Sequence, residues 1–89
     1  MLLEEIHLDE NKEGRQELLR GFVATESQVI IYDKHDFWIH GIISGLIDNN
    51  TYEITIADNR RAKELLYENL EKIILLKEKW SYPLPKFNV

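Results

Sequence analysis

The chain contains no cysteine among its 89 residues, and its two prolines both lie close to the C-terminal end. Without cysteine it can form neither a disulfide nor a thiolate zinc site, which fits a reducing cytosol. The opening stretch, MLLEEIHLDE, carries acids and no basic cluster, and it therefore matches neither a signal peptide nor a membrane span. These absences predict a cytoplasmic protein without membrane association, folded as a single domain over residues 1–89.

Charge is unevenly distributed along the chain. The net charge at pH 7 is −5, with −4 in residues 1–27, −4 in residues 28–58 and +3 in residues 59–89. An acidic body disfavours broad phosphate binding, which needs several Lys or Arg side chains. The basic last third still allows a local phosphate contact. The candidate nucleic-acid-binding residues are the bases nearest the third predicted strand, Arg60, Arg61 and Lys63.

The N-terminal part of the chain is predicted to form one helix, over residues 9–25. Asp9 is suited to the N-cap position, and the acids that follow it favour the positive end of a helix. An apolar stripe at helical spacing follows, formed by Leu18, Leu19, Phe22 and Val23. Upstream, the short apolar lead over residues 2–8 is expected either to pack over the core or to begin the helix.

After this helix the hydrophobic period changes to two, which is typical of β-strands. The stretch QVIIYDK predicts a strand, KHD a turn, FWIHGIISGLI a long second strand, DNN another turn and TYEITIAD a third strand. In the second strand, Gly41 and Gly45 are expected to provide a bend or a bulge. Regular alternation places Leu46 on the face of Trp38 and Ile47 on the opposite face.

The last third of the chain admits two predictions. Residues 60–79 have the composition of a helix, which would follow a three-stranded antiparallel meander. Alternatively, KELLY and KIILLK form two more strands around a turn at ENLE and close the sheet into a small barrel. A three-stranded sheet has two open edges, so topology favours the barrel. The predicted class is α+β, mainly β: a helix over about 9–25, a five-stranded barrel over about 28–77 and an extended tail over 78–89.

With these elements in place, the chain resembles the YolD-like family. The matching stretches are LDENKEGRQELL, VIIYDKHDFWIHGIISGLIDNNTYEITI and ELLYENLEKII, and the resemblance covers roughly residues 9–76. They follow the family's order of a lead-in helix, a tyrosine strand, a glycine-containing second strand, an aspartate turn, an alternating third strand and a short closing pair. The resemblance implies a strongly bent SH3-like or Sm-like five-stranded barrel. The family's usual basic, tryptophan-containing first segment is absent from MLLEEIHL, so the resemblance is to a short or divergent member.

The resemblance also implies a function. YolD-like proteins resemble accessory factors of translesion DNA polymerases in DNA repair, so a non-enzymatic interaction or regulatory module is expected, with such a polymerase or its regulator as partner. No catalytic residue is carried over from the family. Sm proteins bind RNA through an Arg-Gly or Lys-Gly pair. Here the corresponding turn reads YENLEK, and its carboxylates would repel phosphate.

Side-chain chemistry indicates no reaction. His35 and His40 lie near Asp33 and Asp36, but no second strand offers an obvious third metal ligand. No serine or threonine has the context of a nucleophile elbow or a triad. We therefore expect neither a metal, nor a cofactor, nor catalysis.

Aromatic and apolar side chains provide the candidate contacts for a partner protein. The candidate partner-binding residues are Trp38, Tyr82, Leu84 and Phe87. Two other functions stay open: an Sm-like nucleic-acid-binding barrel that uses the basic last third, and an acidic phage- or plasmid-type protein that inhibits a nucleic-acid enzyme. Both a monomer and a homodimer fit the sequence.

Overall fold

A computed structural model describes residues 3–35 and 37–77 of the chain. The elements are β1 (Leu3–Ile6), α1 (Lys12–Thr25), β2 (Gln28–Asp33), β3 (Phe37–Leu46), β4 (Thr51–Ile56), β5 (Ala62–Leu66), a 3-10 turn (Tyr67–Asn69) and β6 (Leu70–Leu76). The predicted extended tail, residues 78–89, lies outside the described residues.

The strands form one antiparallel sheet in the order β1-β6-β2-β3-β4-β5. The predicted class, α+β and mainly β, is confirmed. The five-stranded barrel is wrong in two respects: the sheet has six strands, and it is open, because the outermost strands β1 and β5 do not pair with each other. The sixth strand, β1, lies outside the predicted set and extends the sheet beyond β6.

The last third of the chain forms strands up to Leu76, so the predicted long C-terminal helix is wrong. β5 and β6 flank the 3-10 turn where KELLY, ENLE and KIILLK predicted a strand, a turn and a strand. Burial explains the outcome, since Leu65, Leu70 and Ile73 are almost completely inaccessible to solvent. Pairing with β4 and β2 therefore outweighs the local helix propensity of this segment.

The apolar lead before the helix forms a strand and does not begin the helix, and its residues Ile6 and Leu8 pack against the core, which was one of the two expectations. β1 pairs antiparallel with β6, with Leu3 opposite Leu76 and Ile6 opposite Ile73. β6 therefore lies inside the sheet with a neighbour on both sides, and β1 takes its place at the margin.

The helix begins three residues later than predicted. Asn11, not Asp9, is the N-cap, and its side chain accepts a hydrogen bond from the Gly14 amide at 2.8 Å. Asp9 instead accepts from the Asn11 amide at 3.0 Å, which stabilises the approach to the helix. Leu19 and Phe22, two residues of the predicted stripe, are buried against the sheet.

The guanidinium group of Arg15 connects the helix to the 3-10 turn and to the start of β6 through hydrogen bonds. Its Nη1 donates to the carbonyl oxygens of Tyr67 and Leu70, at 2.8 and 2.9 Å, and its Nε donates to the carbonyl oxygen of Asp9 at 2.8 Å. These bonds join α1, the 3-10 turn and the start of β6. The position of the helix over the sheet is therefore set by charge-assisted hydrogen bonds as well as by apolar packing.

A bulge interrupts β3 and reverses its alternation. Ile43 lies opposite Ile54 and Gly45 opposite Glu53, so Ser44 is the extra residue. After the bulge Leu46 packs against the core, whereas Ile47 is 44% exposed. The predicted faces of these two residues are therefore wrong, and the predicted bulge is the reason.

Gly41 is required for a close approach of β3 and β4. A Cβ atom at this position would overlap the carbonyl oxygen of Thr55 and contact the side chain of Ile54 at 3.1 Å. A Cβ atom at Gly45 would have no neighbour within 4 Å. A side chain is therefore excluded by the neighbouring strand at Gly41 but has free space at Gly45.

We expect Gly41→Ala to lower the free energy of unfolding by about 1–3 kcal/mol, because the added methyl group forces β3 and β4 apart. Gly45→Ala is the matched control and should leave stability unchanged or raise it by up to about 1 kcal/mol, through a less flexible unfolded chain. Urea unfolding followed by circular dichroism measures both changes. Equal destabilisation by the two substitutions would contradict the close approach.

Candidate functional site

An exposed tryptophan lies near the start of β3. Trp38 is 58% exposed and lies opposite Tyr32 on β2. Tyr32 in turn lies opposite Lys72 on β6, whose Nζ is 5.0 Å from the centroid of the Tyr32 ring. The three side chains form a row across β6, β2 and β3, in which the lysine makes a cation–π contact with the tyrosine.

Two depressions flank Trp38. The first, of about 260 Å³, is lined by Trp38, Ile39, His40, Ile56, Ala57, Asp58 and Lys63. The second, of about 270 Å³, is lined by Tyr32, Asp33, Lys34, His35, Trp38 and Glu71. We call Trp38 and the residues that line these two depressions the Trp38 surface. It contains both cations and carboxylates around an aromatic centre.

A third and smaller depression, of about 170 Å³, adjoins the Trp38 surface. It shares Ile56 and Ala57 with the first depression, and Gln28 and Arg60 also line it. The imidazole Nε2 of His40 lies 2.9 Å from Oε1 of Gln28, which connects the two depressions by a hydrogen bond. This bond fixes the position of the His40 ring.

The turn between β4 and β5 places Arg60 beside this third depression. Arg60 has a φ of 60°, and its amide donates to the carbonyl oxygen of Ile56 at 2.8 Å. The Ile56 amide donates in turn to the carbonyl oxygen of Arg61 at 2.8 Å. A left-handed conformation is normally taken by glycine or asparagine, so arginine here costs on the order of 1 kcal/mol. The turn thus retains a cation at a position where glycine would be more stable.

The structure brings together some of the predicted site residues and separates others. Trp38 and Lys63, assigned from the sequence to different functions, line the same depression. Arg60 lines the adjoining depression, whereas Arg61 is exposed and lines neither. The predicted contacts Tyr82, Leu84 and Phe87 lie outside the described residues.

The two histidines considered for a metal differ in their contacts. The His40 ring forms a hydrogen bond with Gln28, whereas His35 donates through its backbone amide to Oδ2 of Asp33 at 3.0 Å. In the described ranges 3–35 and 37–77, no group of three or more His, Asp or Glu side chains is arranged to hold a metal ion. Asp36 lies outside those ranges. The same ranges contain no helix with the length and apolar character needed to cross a bilayer.

A buried polar cluster lies beneath the sheet and was not foreseen from the sequence. Asp33 is 4% exposed, and Tyr52 and Tyr67 pack with ring centroids 5.2 Å apart. Asp33 Oδ1 and both tyrosine hydroxyls are buried without a hydrogen-bond partner in the described part of the chain.

Burial raises the pKa of Tyr52, and the charge of Asp33 raises it further. The pKa of Tyr67 is also raised, mainly by burial. Both hydroxyls therefore stay protonated at neutral pH.

No family model, curated protein or solved structure matches this chain. The resemblance to the YolD-like family therefore stays a prediction from the sequence stretches quoted above.

We expect the free energy of unfolding to fall as the pH rises above about 10, by up to about 1.4 kcal/mol per pH unit for each buried tyrosine. Tyr52 in the unfolded chain ionises near its ordinary pKa of 10.0, whereas the folded protein holds it protonated at higher pH. Below pH 10 this contribution is fully present. Urea unfolding between pH 8 and pH 11 measures it, and Tyr52→Phe should flatten the decline. An identical decline in the wild type and in Tyr52→Phe would contradict this assignment.

Proposed function

We propose that this protein is a non-enzymatic interaction module that docks a partner protein on the Trp38 surface. The observation that carries the proposal is the 58% exposure of Trp38 between two depressions. Tryptophan contributes more binding energy to protein interfaces than almost any other residue, because it combines a large apolar area with few rotatable bonds. Leaving it in solvent has a cost that complex formation removes.

The size of the depressions favours side chains of a partner over a small molecule. Each is smaller than the roughly 300–1,000 Å³ typical of small-molecule sites. A partner can place one apolar side chain on either side of the indole ring. Lys34 and Glu71 line the second depression, and Asp58 and Lys63 line the first, so each has charges of both signs at its rim. Such a rim adds specificity to an apolar centre.

The partner class is proposed from the resemblance to the YolD-like family. It points to a translesion DNA polymerase or its regulator, in the cytoplasm. The mixed charge around Trp38 supports a protein partner, because a surface dedicated to phosphate would carry an excess of bases.

We expect Trp38→Ala to weaken the complex with a translesion polymerase by about 30-fold or more, because an interface tryptophan commonly contributes 2 kcal/mol or more. Ile47→Ala is the matched control: Ile47 is also an exposed apolar residue of the described chain, at 44%, but lies outside the Trp38 surface. Isothermal titration of each variant into the polymerase measures the affinities. Equal affinities of the two variants would exclude the Trp38 surface as the docking site. Failure of the wild type to bind would exclude the polymerase as partner.

A second candidate function is binding of single-stranded nucleic acid. It is favoured by the convergence of Trp38 and Lys63 in one depression, with Arg60 in the next. An aromatic side chain for base stacking beside cations for the backbone is the usual arrangement of a single-strand groove. The acidic overall charge weighs against high affinity.

If this second function operates, Arg60→Glu with Arg61→Glu should abolish binding of fluorescein-labelled oligothymidylate, and wild-type binding should weaken between about 50 and 200 mM salt. The control is Lys12→Glu with Arg20→Glu, which changes the net charge equally but lies on α1. Fluorescence anisotropy measures both variants. Equal loss of oligothymidylate binding in both variants would indicate a general charge effect rather than a site. If the wild type does not bind, this second function is excluded and only the protein-docking proposal is left.

A further inference from the structure

Both margins of the sheet are single strands with one neighbour each. β5 pairs with β4, and β1 pairs with β6, and within the described residues neither has a second partner strand. The outer margin of an edge strand exposes backbone N–H and C=O groups that pair readily with another strand. Along each margin, every second residue of the edge strand therefore has a backbone N–H and C=O group that no neighbouring strand of the described chain uses.

The hydrogen bonds around β5 identify which of its groups point outward. The Ile56 amide donates to Arg61 at 2.8 Å and the Tyr67 amide donates to Asn50 at 3.0 Å, so Arg61 and Tyr67 are bonded to the β4 side. Antiparallel pairs alternate between bonded and non-bonded. Ile54 and Lys63, which lie opposite each other, therefore form a hydrogen-bonded pair. The residues whose N–H and C=O groups point away from β4 are Ala62, Glu64 and Leu66.

The two margins differ in charge. β5 contains Lys63 and Glu64 and follows directly after Arg60 and Arg61, so bases exceed acids there by two. The charged residues of β1 are both acids, Glu4 and Glu5. Glu4 lies 3.3 Å from Lys77 and Glu5 lies 4.0 Å from Lys72, but these side chains remain about half exposed or more. Exposed ion pairs of this kind are weak and leave their carboxylates open to further contacts.

We propose that β5 binds β1 of a second copy of this chain, antiparallel, in a head-to-tail assembly. In the proposed register, β1 of the second copy extends the sheet at β5, and the core-facing sides of the two sheets are adjacent. Glu4 of the second copy then lies opposite Lys63. Lys63 also has an interaction within its own chain, and the intermolecular contact adds to it. The contact is heterologous, so repeated pairing produces a ring or a filament rather than a closed two-fold dimer.

Pairing of β5 with itself is disfavoured by Glu64. A symmetric antiparallel pair centred on β5 places Glu64 opposite Glu64 of the second copy, and directly opposed like charges are destabilising. The acidic strand β1 has no such conflict in the register that opposes Glu4 to Lys63. This register also adds an attraction between opposite charges, which favours the head-to-tail contact.

Sedimentation velocity over a range of concentrations tests the proposal. At low salt the weight-average mass should rise with concentration above the 10.6 kDa of one chain, and high salt should reduce it. Glu64→Pro should give the monomer mass throughout, because proline removes an outward N–H that β4 does not use. Glu64→Thr, which keeps that N–H, should still associate. A wild type that stays at 10.6 kDa, or a folded Glu64→Pro protein that still associates, would overturn the proposal.

A charge exchange provides an independent test if Glu64→Pro fails to fold. Glu4→Lys and Lys63→Glu should each weaken association about tenfold or more, and the double variant should recover most of it. Failure of the double variant to recover would overturn the proposed register. Lys63 also lines the first depression of the Trp38 surface, so Lys63→Glu alone does not separate the two proposals. Trp38→Ala separates them, because it should leave the mass unchanged.

Discussion

The antiparallel pairing of β2 with β6 is the interaction on which the rest of this structure depends. Ile31 lies opposite Ile73, and both are completely buried. The pairing joins segments about forty residues apart, so folding pays a loop-closure cost before these contacts stabilise it. Once β6 is in place, β1 has a partner strand. The 3-10 turn then lies where Arg15 can reach the carbonyl oxygens of Tyr67 and Leu70.

The same sheet geometry positions the Trp38 surface. Gly41 lets β3 approach β4 closely, and the bulge at Ser44 turns Leu46 into the core. Lys63 of β5 and Asp58 of the β4–β5 turn line the depression beside Trp38. Strand pairing and core packing thus decide which side chains lie on the Trp38 surface.

Sequence patterns predicted much of the fold and part of the candidate site. The helix, the three central strands and the bulge region followed from local periodicity, and Trp38 was identified by its type and position. The start of the helix was missed because Asn11 and Asp9 are equally good capping residues. The buried cluster of Asp33, Tyr52 and Tyr67 was missed because its members are distant in sequence and individually look like ordinary strand residues.

By itself, the sequence determined the segments with a clear period: α1 and the strands β2, β3 and β4, together with the absence of disulfides and the acidic charge. For residues 60–79 the sequence favoured two strands but left a helix open, and the tertiary structure decided for strands up to Leu76. Tertiary structure alone decided that residues 3–6 join them, and that the sheet stays open with β1 and β5 at its margins. The physical reason is that periodicity records which face of a segment is apolar. It does not record which distant segment supplies the hydrogen bonds, and in a sheet those partners decide both the edges and the neighbours of each side chain.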